Sequence, residues 1–353
     1  RVPTGPGAGV VCLQPARTPA RRGRLKRVVR HARPPYQFTD AHSKSQTYVK
    51  NAAAITVEKA EHLVIRNCRL HDSGNGLFIS SNDKQASRDI VIEGNQIFGN
   101  GMEGSGQEHN SYTAAIGIVF RKNRFGPLRE KCLGNNLKDR SAGLEVVDNW
   151  FEGGNKSLDL VDAQDSALIR NAPQYHETLV HGNVILKLPA DGHSFIVHYG
   201  GDGDKASAYR KGTLRFYNNT VVYYRRGPAI LFWLSSNDER CVFQNNIVHS
   251  ETSGKNLVLF TGKGVFDPGH NWIKPGWRMR PDTKSGDPAR ADASAAGGDS
   301  PGFRNFAGRD FRLAAKSPCR GAGQAWNSKT SGKDDQTAGR PDLGAFQFTN
   351  TPE

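Results

Sequence analysis

Four short stretches of this 353-residue chain hold the side chains that could do chemistry. HNSYTA (109–114) carries His109, Asn110 and Tyr112, and NNLKDR (135–140) carries Asn136, Lys138 and Arg140. SLDLVDA (157–163) carries Asp159 and Asp162, and HSFIVHYG (193–200) carries His193, His198 and Tyr199. β-Elimination from a uronate needs a cation for the carboxylate, a base for the C5 proton and an acid for the leaving oxygen. Lys138, Arg140, His109 and Tyr112 are the candidates, with Lys138 as a base whose pKa the neighbouring Arg140 lowers. Asp159 and Asp162 are a carboxylate pair of the kind glycoside hydrolysis uses. Asn110, Asn136, His193, His198 and Tyr199 are candidates for substrate contacts. The plainer alternative is a surface ladder of ion pairs, Lys138 or Arg140 against Asp159 or Asp162, which is worth little.

These stretches meet only if their strands stack, and a repeat says that they do. Two or three β-prone residues, a short polar step and then Asn-x-apolar recur as VIEGNQI, VFRKNRF, VVDNWF, LVHGNVI, RFYNNTVV and CVFQNNIV. The shared residues are Asn95, Asn123, Asn149, Asn183, Asn219 and Asn246, with Cys68 of VIRNCRL in the earliest copy. A period in the high twenties suits an all-β, right-handed parallel β-helix of about seven to ten coils. Stacked asparagines in its turns can hydrogen-bond from coil to coil. Two longer spacings imply insertions at roughly 164–178 and 201–213, on the binding face if the chain follows other solenoids.

Each repeat is followed by a second strand, and stacked strands lie about 4.8 Å apart. Alternation puts Asn136, Lys138 and Arg140 on one face with Leu137 inward, and Asp159 outward between Leu158 and Leu160. By the same parity His193 and His198 face opposite sides, as do Asp159 and Asp162 unless the strand ends at Val161. The flanking strands GLFISS (76–81), AILFWLSS (229–236) and NLVLFTG (256–262) are mainly apolar. Trp233 is core or a sugar-stacking platform, core being the simpler reading. Glu103 and Glu108, in a Gly-rich loop, are weak candidates for calcium, and no cofactor is required.

The net charge of +14 invites a nucleic-acid reading. Residues 1–35 hold nine Arg and Lys and no acid, which leaves only +5 for the rest. The expectation is a basic, disordered or non-native arm (1–35), a β-helix (36–274), a linker (275–300) and a C-terminal capping segment (301–353) over the last coil. No specific nucleic acid and no membrane span are expected, and the chain reads as a monomer. Its five scattered cysteines support neither a zinc ribbon nor a disulfide framework and read as buried thiols.

The coils, the Asn column and the C-terminal DLGAFQ resemble the pectate-lyase-like superfamily of parallel β-helix proteins, over roughly residues 48–348. HNSY…GNNLKDRSAG…VVDNWFEGG…LDLVDA resembles an uncharacterised bacterial β-helix group and, distantly, polysaccharide lyase family six. That resemblance implies a secreted or periplasmic lyase with Lys138 as base. Asp139 stands where the family has Ser, and LDLVDA stands where it has Arg-His-Gly, with Asp162 near the Arg position. The function expected is cleavage of an acidic polysaccharide or oligosaccharide by β-elimination. A glycoside hydrolase, an epimerase and a non-catalytic glycan-binding surface protein are the alternatives.

Overall fold

The asparagine turns set the architecture. In the computed structural model, which describes residues 11–13, 24–25, 37–39, 42–47, 52–282, 297–325 and 340–348, the chain is a parallel β-helix. Each coil gives one strand to each of three parallel sheets, of nine, nine and eight strands among the described residues. Sheet 1 runs from Val11–Leu13 to Leu257–Gly262, sheet 2 from Arg24–Leu25 to Val265–Pro268 and sheet 3 from Arg69–His71 to Trp272–Ile273. The eight strands of sheet 3 count eight coils. Val11–Leu13 and Arg24–Leu25, inside the expected disordered arm, pair with Ala53–Glu58 and Val64–Arg66. The rest of residues 1–35 lies outside the described residues.

Between sheets 2 and 3 the chain turns sharply. From Cys68 to Asn246 the residue before each ladder position adopts positive φ, at Asn67, Gly94, Lys122, Asp148, Gly182, Asn218 and Asn245. Gly, Asn and Asp tolerate this region best, which explains the polar step in the repeat. The following Asn then accepts from the previous coil: Asn95 N and Nδ2 both donate to Asn123 Oδ1 at 2.9 Å, and Asn149 N donates to Asn183 Oδ1 at 2.9 Å. The ladder goes one coil beyond the sequence reading, since Asn246 N donates to Asn271 Oδ1 at 2.9 Å. At the other end Cys68 N donates to Asn95 Oδ1 at 2.9 Å.

Inside, identical register stacks apolar side chains into columns. Ile65, Ile92, Phe120, Val146, Val180, Phe216 and Phe243 follow one another across sheet 2, all fully buried. Each such side chain contributes about 1.5–3 kcal/mol. Outside, sheet 3 is apolar too, and the C-terminal segment covers its flank: Phe311 packs with Val184, Leu186 and Val222, and Leu343 with Ile247 and Trp272. The edge of the last sheet 1 strand is met by residues 276–280, read as linker, through Leu259 N to Arg278 O and Phe260 N to Met279 O. The free thiols Cys68, Cys241 and Cys319 are buried and Cys132 is half-buried, while the side chain of Cys12 lies outside the described residues.

Candidate functional site

Sheet 1 carries the site. Its strands Asn75–Ser80, Ser111–Thr113, Leu137–Asp139, Leu158–Leu160, Phe195–Tyr199, Ala229–Leu234 and Leu257–Gly262 are the seven second strands of the repeat, in that order. Register aligns one outward side chain per coil: Phe78, Tyr112, Lys138, Asp159, His198, Trp233 and Thr261. Residues 183 positions apart in sequence thus share one face (Phe78 to Thr261). Charged and polar groups occupy the middle, and aromatic rings flank them. Phe78 and Tyr112 stack at 5.3 Å between centroids, and His198 and Trp233 at 4.0 Å.

Asp159 is the hub. Although on the outer face, it is 1 % exposed, because its neighbours cover it. Oδ2 accepts from Lys138 Nζ at 3.2 Å and Asn135 Nδ2 at 2.8 Å; Oδ1 takes Lys156 Nζ at 2.9 Å and His198 Nδ1 at 2.8 Å. Burial alone would raise the Asp159 pKa; the His198 hydrogen bond, Lys138 and Lys156 override it and hold the carboxylate ionised, well below its ordinary value.

The second insertion closes over this hub. Asp202 pairs with Lys138 Nζ, and its Oδ1 lies 3.0 Å from Arg140 Nη2. Asp162 Oδ1 receives the backbone N–H of Asp202 at 2.8 Å and lies 3.6 Å from Arg140 Nη1. Arg140 Nε donates to Tyr112 Oη at 2.8 Å. Three cations (Lys138, Arg140, Lys156) therefore meet three carboxylates (Asp159, Asp162, Asp202). The strap is anchored from below. Arg210, fully buried, donates to Asp139 Oδ1 at 2.9 Å and to the carbonyls of Val161 and Ser141. Asp139 points into the coil interior, where Thr113 Oγ1 and Ser141 Oγ also donate to it. Asp139 is thus a structural anchor.

The first insertion builds a side wall. Ser166 caps helix Ala167–Arg170, and Tyr175 links the two insertions, accepting from Ala163 N and donating to Ala208 O, both at 2.9 Å. A cleft of about 180 Å³ opens beside Arg140, lined among others by Phe78, Tyr112, Ser80, Asp165 and Ser166.

Lys138, Arg140, Tyr112, Asp159, Asp162, His109 and His198 converge as the sequence suggests, but several roles change. Burial pulls the Lys138 pKa down, yet Asp159 and Asp202 outweigh it and raise it. Lys138 is held protonated, which corrects its expected role as a base. His109, 2 % exposed, accepts from Asn135 N at 2.9 Å through Nδ1, and burial together with Lys138 lowers its pKa to about 3. It is neutral, with its proton on Nε2. Asp159 and Asp162 stand on one side of the site because the strand ends at Leu160, and both carboxylates are engaged.

Other expectations are overturned. Asn110 and Asn136 are not substrate contacts. Fully buried, they form a second ladder, with Asn100 Nδ2 donating to Asn110 Oδ1 and Asn110 Nδ2 to Asn136 Oδ1. They precede their strands, so strand parity does not apply. Tyr199 points into the core, one residue out of phase with His198. His193 and His198 do not face opposite sides. Ile196 and Val197 are both buried, which breaks the alternation, and rings stack continuously from His193 through Phe195 and Trp233 to His198. Trp233 is accordingly outward and not core. Glu103 and Glu108 do not converge: Glu103 is exposed and pairs with Lys131, while Glu108 is buried. Among the described residues no group of three or more His, Cys, Asp or Glu side chains is arranged to hold a metal.

Sequence reasoning missed Asp202, Lys156, Asn135 and Ser235. Asp202 had one signal, its place between glycines in a predicted insertion (GGDGD). Among the described residues, no helix is long and apolar enough to cross a membrane. No protein-family model and no curated protein matches this chain.

Proposed function

We propose that this protein is a carbohydrate-active enzyme that cleaves an acidic, uronate-containing polysaccharide or oligosaccharide by β-elimination over its central coils. One observation carries the reading: Lys138 and Arg140 already hold a carboxylate, that of Asp202, between them. A substrate carboxylate offers the same two oxygens, and it replaces Asp202 when the strap shifts. The exchange keeps the three-to-three charge balance, so the cations are never left buried and unpaired. Glycines at 200, 201 and 203 flank Asp202, and Gly200 has a φ of 132°.

With the carboxylate neutralised, the C5 proton becomes acidic enough to remove. Tyr112 is the proton carrier in this reading. Its oxygen takes the C5 proton as its own proton passes to the leaving glycosidic oxygen, while Arg140 Nε steadies the charge on that oxygen. The C5–H and C4–O bonds break and a C4=C5 double bond forms. The rings of Phe78 and Trp233, on either side, are platforms for neighbouring sugars.

The test is absorbance near 232 nm, from the unsaturated product, across a panel of uronate polymers. Growth of that band, lost in Arg140→Met, is the expected result. No absorbance on any polymer ends the elimination reading, and new reducing ends without absorbance would assign hydrolysis instead.

A further inference from the structure

Ser235 follows the strand Ala229–Leu234, outside the Lys138–Arg140 slot. Its Oγ lies 2.8 Å from His198 Nε2, and His198 Nδ1 lies 2.8 Å from Asp159 Oδ1. We propose that Ser235, His198 and Asp159 act as nucleophile, base and orienting carboxylate in hydrolysing an acyl ester on a sugar hydroxyl. The glycan carrier rests on the function proposed above; the ester chemistry rests on this geometry alone.

The order of the three groups suits the chemistry. Asp159 accepts the Nδ1 proton, which leaves Nε2 as an acceptor facing the Ser235 hydroxyl. Lys156 and Asn135 fix the carboxylate, and Trp233, stacked at 4.0 Å and 11°, fixes the ring. The buried members are the base and the carboxylate, at 0 % and 1 % exposure, whereas Ser235 is only half-buried. Burial keeps His198 neutral by lowering its pKa, against the pull of Asp159, and Asp159 stays ionised. Gly201 N also donates to Ser235 Oγ, at 3.1 Å, and Gly201 O, at 2.9 Å, is a second acceptor for the hydroxyl proton, one that leaves with the strap when it shifts. A Cβ at Gly200 would lie 2.8 Å from that Oγ, so the strap meets the hydroxyl this closely only because residue 200 is glycine.

The steps balance with water alone. Oγ attacks the ester carbonyl and its proton moves to Nε2, where Asp159 stabilises the imidazolium. That proton passes to the departing sugar hydroxyl, leaving the acyl group on Ser235. Water then attacks through the same base, releasing the carboxylic acid and restoring the serine.

The experiment uses the full chain with p-nitrophenyl acetate and a fluorophosphonate probe, neither of which contains a uronate, so its outcome is independent of elimination. The expected result is probe attached to the peptide containing Ser235, and p-nitrophenol release reduced at least about 100-fold in Ser235→Ala. Ser235→Thr, which keeps a hydroxyl toward His198 and Gly201, separates loss of chemistry from loss of the strap contact. Labelling of the unaltered protein needs no variant to fold. An unlabelled Ser235, or release equal in the unaltered protein and Ser235→Ala, overturns the proposal.

Discussion

Two columns run the length of this solenoid at the same coil-to-coil spacing, and they differ in one respect. The asparagine ladder places the same residue at every coil from Asn95 to Asn271. The outward column of sheet 1 places a different one at each: Phe78, Tyr112, Lys138, Asp159, His198, Trp233. A repeated amide satisfies itself and its neighbour, and its yield is stability. A varied column brings unlike groups within hydrogen-bond reach, and its yield is a polarised site. The ladder sits in turns with a positive-φ residue before it and the varied column on strands, but the same coil repeats under both, so what each column does depends on its side chains.

Substitutions can break or sharpen that contrast. The largest stability effect is expected beneath the varied column, at the buried Arg210–Asp139 pair. Arg210→Met leaves Asp139 as an uncompensated interior charge and should cost about 3–5 kcal/mol in urea unfolding. In the ladder, Asn183→Ala takes the acceptor from Asn149 N and Nδ2 and the donor from Val146 O, all buried, and should cost about 2–3 kcal/mol by the same measurement. Lys138→Met should cost less than Asn183→Ala, because Lys156 still pairs with Asp159 and Arg140 with Asp202, so no carboxylate is left without a cation. If Lys138→Met proves as costly as Asn183→Ala, the division between scaffold and site fails.

His109 sets a pH dependence. Its folded pKa of about 3 lies below its ordinary value of 6.5, so below pH 6.5 the unfolded chain binds a proton that the folded one refuses. Stability should therefore fall as pH drops from 6.5 toward 3, by about 1.4 kcal/mol per pH unit for this group. His109→Gln should flatten that slope in melts at pH 6 and pH 5. The smallest change expected is a gain. Cys68 occupies the ladder's first position, with Sγ donating to Arg66 O. Cys68→Asn should extend the ladder and add up to about 1 kcal/mol, and a loss of stability there would show that the ladder ends at Asn95 for steric reasons.

The repeated column was legible in the sequence because its turn needs a residue tolerant of positive φ before each Asn, and that pair recurs. Asn271 escaped because Asp267, Pro268 and Gly269 precede its turn in place of the usual β-prone run. The varied column was legible wherever strand parity holds, as at Lys138 and Asp159. Parity failed at Asn110 and Asn136, which sit in turns, and at His193, where two successive buried residues shift the phase. The role of Lys138 was not legible either. Arg140 is two residues away in sequence and Asp159 shares the Lys138 face by parity, but the second carboxylate that raises its pKa, Asp202, lies 64 residues on, in an insertion whose path no periodicity describes.

The most direct measurement is the initial rate of absorbance increase near 232 nm for Tyr112→Phe on a uronate polymer that the unaltered protein cleaves. Phenylalanine keeps the ring stacked between Phe78 and His109 and removes only the oxygen that Arg140 touches. If the varied column is the catalytic site, the rate falls at least about 100-fold with the melting temperature little changed. An unchanged rate would contradict it.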